Sequence, residues 1–159
     1  MNRSIKKYSY IVLLILLITF FGYYRDYIFV SINAHLKALT YDVDSPPLPA
    51  ILSFMKDCEY NTIIKIKWVL TFLFMLIYLG ISLLALKLIF NNRNYYYIAI
   101  GLYMSITLVA GVFMVMGFLI KSTAPTMYEF SRYIMGLAQS PLILMILIPA
   151  FKLSKQETK

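Results

Sequence analysis

The chain has 159 residues, 61% of them apolar and only 14% charged, with a formal net charge of +8. Soluble domains run near about 45–50% apolar and about 25% charged, so an ordinary soluble fold is excluded. The positive balance does not indicate nucleic acid, because the basic residues flank apolar runs instead of forming a stripe on one soluble face.

Four apolar stretches, residues 8–24, 68–90, 95–120 and 134–153, cover more than half of the chain. Each is close to the roughly 20 residues a helix needs to cross a hydrocarbon core. Only a helix satisfies its own backbone polar groups there. The pattern predicts an all-α integral membrane protein: one membrane domain over residues 1–159, a four-transmembrane-helix bundle with a structured outer loop (25–67) between helices one and two.

The first run has a basic start and an apolar middle, but its exit, Phe21-Gly22-Tyr23-Tyr24-Arg25, is bulky where a signal peptidase needs small residues. It is read as an uncleaved anchor. In the loop that follows, Ile28, Ile32, Leu36 and Leu39 share a helical face, which predicts a short helix on the outer membrane surface. Asp42, Asp44, Ser45, Pro46, Pro47 and Pro49 then break helix, and a second short apolar segment, residues 51–55, leads to helix two. The connection 91–94 is so short that helices two and three must form an antiparallel hairpin. Ser122, Thr123, Ala124 and Pro125 predict a turn and helix start ahead of the fourth span.

Aromatic residues mark the same boundaries: Tyr8, Tyr10, Tyr23, Tyr24, Trp68, Tyr95 to Tyr97, Tyr128 and Tyr133 fit an interfacial belt. Lysine and arginine are dense in the short segments around Arg3, Lys6 and Lys7, Lys87 and Arg93, and Lys152, Lys155 and Lys159. They are diluted over longer loops at Arg25, Lys37, Lys56, Lys65, Lys67, Lys121 and Arg132. That asymmetry predicts cytoplasmic N and C termini.

Four groups of residues could carry function. Gly101 with Ser105, and Gly136 with Ser140, have the small-x-x-x-small spacing that allows helices to approach closely in lipid. They fit either contacts inside the bundle or a face for another membrane protein. Gln139, Ser140 and Pro141 form the most polar point within any span, read either as a braced kink or as a binding groove. Arg25, Asp26, Glu129 and Arg132 suggest an outer charged cluster, either solvated or holding an anionic group. His35, Cys58 and Arg25 share the outer loop, but their spacing matches no catalytic motif. No catalytic, cofactor-binding or metal-ligating residue is assigned, and no cofactor is expected; one His and one Cys are a poor ligand set.

The stretch 131–151, which opens with Ser131-Arg132-Tyr133, passes Gln139-Ser140-Pro141 and closes on Ile148-Pro149-Ala150-Phe151, resembles the end of the exosortase F-associated membrane proteins. The exit Tyr24-Arg25-Asp26 and the motif Pro47-Leu48-Pro49 resemble that family too. A related exosortase-system family fits equally. The resemblance implies a non-enzymatic accessory of a bacterial protein-sorting system, in the cell inner membrane. Its partners would be the bilayer and an exosortase or the apolar tail of its substrates. The alternative reading from the residues is a small transporter or channel-like subunit.

Overall fold

The computed structural model describes residues 3–41, 43, 47–90 and 92–157, with side chains omitted for 3–8, 121, 124 and 155–157. Asp42, Asp44, Ser45 and Pro46 of the helix-breaking run, Asn91 of the hairpin turn, and Lys159 lie outside the described residues. The side chains of Arg3, Lys6, Lys7, Tyr8, Lys121 and Lys155 lie outside them too.

The described chain is helical: α1 (Arg3–Tyr41), a 3-10 helix η1 (Ala50–Met55), α2 (Tyr60–Ile89), α3 (Arg93–Leu119), a 3-10 turn η2 (Lys121–Thr123), α4 (Ala124–Ala138) and α5 (Leu142–Glu157). Three of these, α1, α2 and α3, are long and apolar enough to cross a membrane, and the bent pair α4–α5 passes the same test together. Contacts divide the chain into two compact units, one of Met1–Ile18 with Met75–Lys159 and one of Thr19–Phe74.

The non-helical part of segment 25–67 is shorter than the sequence suggests. The helix expected on the membrane surface at residues 28–39 is instead the continuation of the first span, because α1 runs unbroken for 39 residues. Nothing between Arg25 and Tyr41 breaks a helix, and an α-helix need not stop where lipid does. At 1.5 Å per residue it extends about 58 Å, well beyond a hydrocarbon core. Likewise α2 begins at Tyr60, eight residues before the expected boundary at Trp68.

In the unit Thr19–Phe74 the apolar face foreseen for this segment is buried at Ile28, Ile32 and Leu36, whereas Leu39 is exposed. Leu52 and Met55 of η1 and Ile63 of α2 are buried as well. Phe29 meets Phe74 at 5.9 Å between ring centroids. One turn further along α1, Lys67 Nζ donates to Asn33 Oδ1 at 2.7 Å.

In the unit Met1–Ile18 with Met75–Lys159, buried positions recur at helical spacing: Ala99, Tyr103 and Ala110 on α3, and Ile143, Leu147 and Phe151 on α5. Met75, Tyr78 and Leu86 of α2 and Met135 and Ala138 of α4 complete this core. The hairpin between α2 and α3 is tight, as its length requires. Asn92 caps α3 by accepting the Asn94 N–H at 3.1 Å, which satisfies one of the orphan donors of a helix start.

The fourth apolar run is not one helix. α4 starts at Ala124, ten residues before the expected span, and α5 restarts at Leu142 after a bend of 55°. Pro141 explains the interruption: it has no N–H to give to Leu137, and its ring would clash with that carbonyl in a continuous helix. The two segments nevertheless follow α3 along its length. Ser131 of α4 bonds to Ala110 of α3, and Phe151 of α5 stacks on Tyr95 in the first turn of α3.

Candidate functional site

The break between α4 and α5 is where the fold places polar groups inside an apolar segment. Gln139 is 3% exposed, buried beside Ala138. Its backbone N–H is shared between the carbonyls of Met135 and Gly136, each at 3.2 Å. Ser140 joins the two helices chemically. Its Oγ donates to the Leu137 carbonyl at 2.8 Å and accepts the Leu142 N–H at 3.4 Å, standing in for the backbone bond that Pro141 removes. An unsatisfied backbone group in an apolar surrounding costs free energy, so this hydroxyl eases the stop and restart of the helix.

The sequence reading missed a column of polar contacts along the inner face of α3. Tyr103 is 1% exposed, and its hydroxyl lies 3.0 Å from Ser82 Oγ of α2. One turn on, Thr107 Oγ1 donates to the Tyr103 carbonyl at 2.8 Å and lies 3.1 Å from Met75 Sδ. Beyond it, Ser131 Oγ of α4 donates to the Ala110 carbonyl at 2.8 Å. Positions 103, 107 and 110 recur at i, i+4 and i+7, so one face of α3 binds both neighbours through hydroxyls. The i, i+4 spacing of Tyr103 and Thr107 was the available signal.

The two small-residue pairs part company. Gly101 and Ser105 lie on the exposed side of α3, and a Cβ added at Gly101 meets no atom within 4 Å. Ser105 Oγ folds back onto the Gly101 carbonyl at 2.8 Å. Among the described residues no other helix closes on Gly101. Gly136 and Ser140 are half-buried and flank the break instead.

The charged residues are held locally. Arg25 pairs with Asp26 at 2.8 Å and its guanidinium stands over the Phe29 ring at 5.6 Å. In the other unit, Arg132 is exposed with its guanidinium 6.0 Å from the centre of the Tyr133 ring, and Glu129 is exposed on the preceding turn. Glu129 and Arg132 form no ion pair with each other among the described residues. The thiol and imidazole of segment 25–67 are also apart in role. Cys58 Sγ donates to the Phe54 carbonyl at 3.4 Å, while His35 is 2% exposed with neither ring nitrogen hydrogen-bonded. Among the described residues no thiol–imidazole pair is formed.

Comparison with family models, curated proteins and solved structures finds no match to this chain.

Proposed function

We propose that the protein is a non-enzymatic interaction subunit of the bacterial inner membrane that docks another membrane protein against the outward face of α3. The observation that carries this reading is the open Gly101–Ser105 pair. Lipid gives no hydrophobic drive to join helices, so association depends on close packing, and small residues i and i+4 apart allow it. Among the described residues nothing outside α3's own turn lies within 4 Å of a Cβ at Gly101, so the chain's own helices leave that position open. α4 starts just after the Leu119 end of α3, Ser131 meets Ala110 part-way along it and Phe151 meets Tyr95 in its first turn, which supports α4–α5 as one broken crossing. Four crossings then leave both termini on one side, the cytoplasmic side by the lysine and arginine asymmetry.

The partner in this reading is an exosortase or the apolar tail of its substrates. That part rests on the resemblance of residues 131–151 and of Tyr24-Arg25-Asp26 to the exosortase-associated proteins. The test is Gly101→Leu, which fills open space and leaves the fold intact. Co-purification of an exosortase is lost in the variant if the face is right, and unchanged recovery removes α3 as the interface.

A second reading, a small transporter or channel-like subunit, is favoured by one observation: a broken helix with buried Gln139 at the bend. Irregular backbone at membrane depth is tolerated where it is enclosed by protein or lines a polar path. Loss of solute flux in Gln139→Leu at unchanged expression would move the assignment there.

A further inference from the structure

The two charges of α4 stand beside an apolar stretch of α3. After the turn at Lys121–Thr123, α4 runs back along α3. Phe130 stacks on Phe113 with ring centroids 5.9 Å apart, and Ser131 bonds to Ala110. Glu129 and Arg132, the residues that flank that pair, therefore lie level with Ala110 to Phe113. From Ala110 to its end at Leu119, α3 rises about another 14 Å. Over that length it exposes Val112, Met114, Val115, Met116, Phe118 and Leu119. An α3 that crosses the membrane thus carries its apolar surface past the level of both charges. Ionisable side chains within the apolar layer are costly and are normally paired with one another.

Glu129 and Arg132 are opposite in sign, one turn apart and exposed, and they form no ion pair with each other among the described residues. They belong to one stripe at i, i+4, i+7 and i+11: exposed Pro125, Glu129 and Arg132, then half-buried Gly136. A stripe carrying both an acid and a base is complementary to itself. Two copies inserted the same way round are related by a two-fold axis along the membrane normal, which sets equivalent residues at equal height. Glu129 and Arg132 differ in height by about 4.5 Å, within reach of the two side chains. Each copy's Arg132 then meets the partner's Glu129, so the contact is made twice. Gly136, with no side chain, lets the helices approach closely beside these contacts.

We propose that α4 is a self-association face, through which two copies of the chain pair in the membrane by reciprocal Glu129–Arg132 contacts. The inference goes beyond the docking reading and rests on α3 crossing the membrane. It uses a different part of the molecule from that reading. α4 meets α3 at Ala110 and Phe113, whereas Gly101 lies in the other half of α3.

The experiment uses the full chain in phosphatidylcholine vesicles, with donor and acceptor fluorophores on separate copies and energy transfer followed as lipid dilutes the protein. The parent chain pairs, and so does Gly101→Leu, which keeps the docking and pairing faces distinguishable. Glu129→Arg alone and Arg132→Glu alone each bring like charges together and weaken pairing by more than about tenfold. Mixed with one another, the two variants recover the pairing of the parent, which also shows that both are folded. Transfer in the parent no greater than random mixing overturns the proposal and means that headgroups solvate each charge separately. So does equal pairing in all four samples, or a mixture that stays as weak as its components. Val115→Cys in a Cys58→Ser background checks the depth: a charged maleimide leaves it unlabelled in intact vesicles. Labelling there removes the spanning reading of α3, and the proposal with it.

Discussion

The ring of Phe151 in α5 stacks on that of Tyr95 in the first turn of α3, with centroids 4.2 Å apart and planes 11° from parallel. Phe90, at the end of α2, meets both rings edge-on, at 5.2 Å from Tyr95 and 6.0 Å from Phe151. α2 ends and α3 begins at one aromatic cluster, and α5 passes it before its own end at Glu157.

The cluster has a measurable weight. Aromatic pairs contribute about 0.5–1.5 kcal/mol beyond their buried area. A double-mutant cycle on Tyr95→Leu and Phe151→Leu, read from unfolding in mixed detergent, gives a coupling of about 1 kcal/mol. Strict additivity would mean the stacking holds nothing together.

The bend at Pro141 is predicted to be set by backbone chemistry. In Pro141→Ala the N–H returns and the clash with the Leu137 carbonyl goes, so α4 and α5 straighten from their 55° angle. Spin labels at Tyr133→Cys and Met145→Cys in a Cys58→Ser background measure this as a longer interlabel distance. An unchanged distance would place the bend in the packing against α3 instead. Ser140→Ala keeps the bend but removes a partner from Leu142 N–H, at a cost of about 1 kcal/mol in stability.

Much of this architecture was legible before the structure. The apolar runs located α2 and α3, and the turn and helix start read at Ser122 to Pro125 contains the start of α4 at Ala124, although the span itself was placed from 134. The end of α1 was misplaced because Tyr24, Arg25 and Asp26 are polar and interfacial residue types, and residue type reports the preferred solvent, not where a helix stops. Gln139 and Pro141 announced a disturbance in the fourth run, but not that Ser140 would bridge it. The outward direction of Gly101 was not legible at all: the spacing of small residues says that two helices can approach, and only the burial pattern of α3 says which side is free.

The polar column on α3 yields another expectation. Tyr103→Phe and Ser82→Ala each remove one side of a buried hydroxyl pair. Interhelical hydrogen bonds in membranes average about 0.6 kcal/mol in double-mutant cycles, so the coupling here is of that order. Thermal unfolding of the four members of the cycle in one detergent checks it, and a coupling of zero or of opposite sign would contradict the bond.

His35 runs the other way. Its two ring nitrogens are buried without hydrogen bonds on the same face as Ile28, Ile32 and Leu36. A buried polar group left unpaired costs about 1–3 kcal/mol, so His35→Leu raises the unfolding temperature. A fall in that temperature would show that the imidazole has a stabilising role there.

The central claim is that this chain works by holding another membrane protein. The most direct measurement is affinity purification of the tagged protein from its native membrane in mild detergent, followed by mass spectrometry of what comes with it. The account predicts an exosortase or a tail-bearing sorting substrate in the eluate of the parent protein and its absence with Gly101→Leu. A homogeneous oligomer of the chain alone, the same in both, would contradict the account and shift the assignment to a transporter or channel subunit.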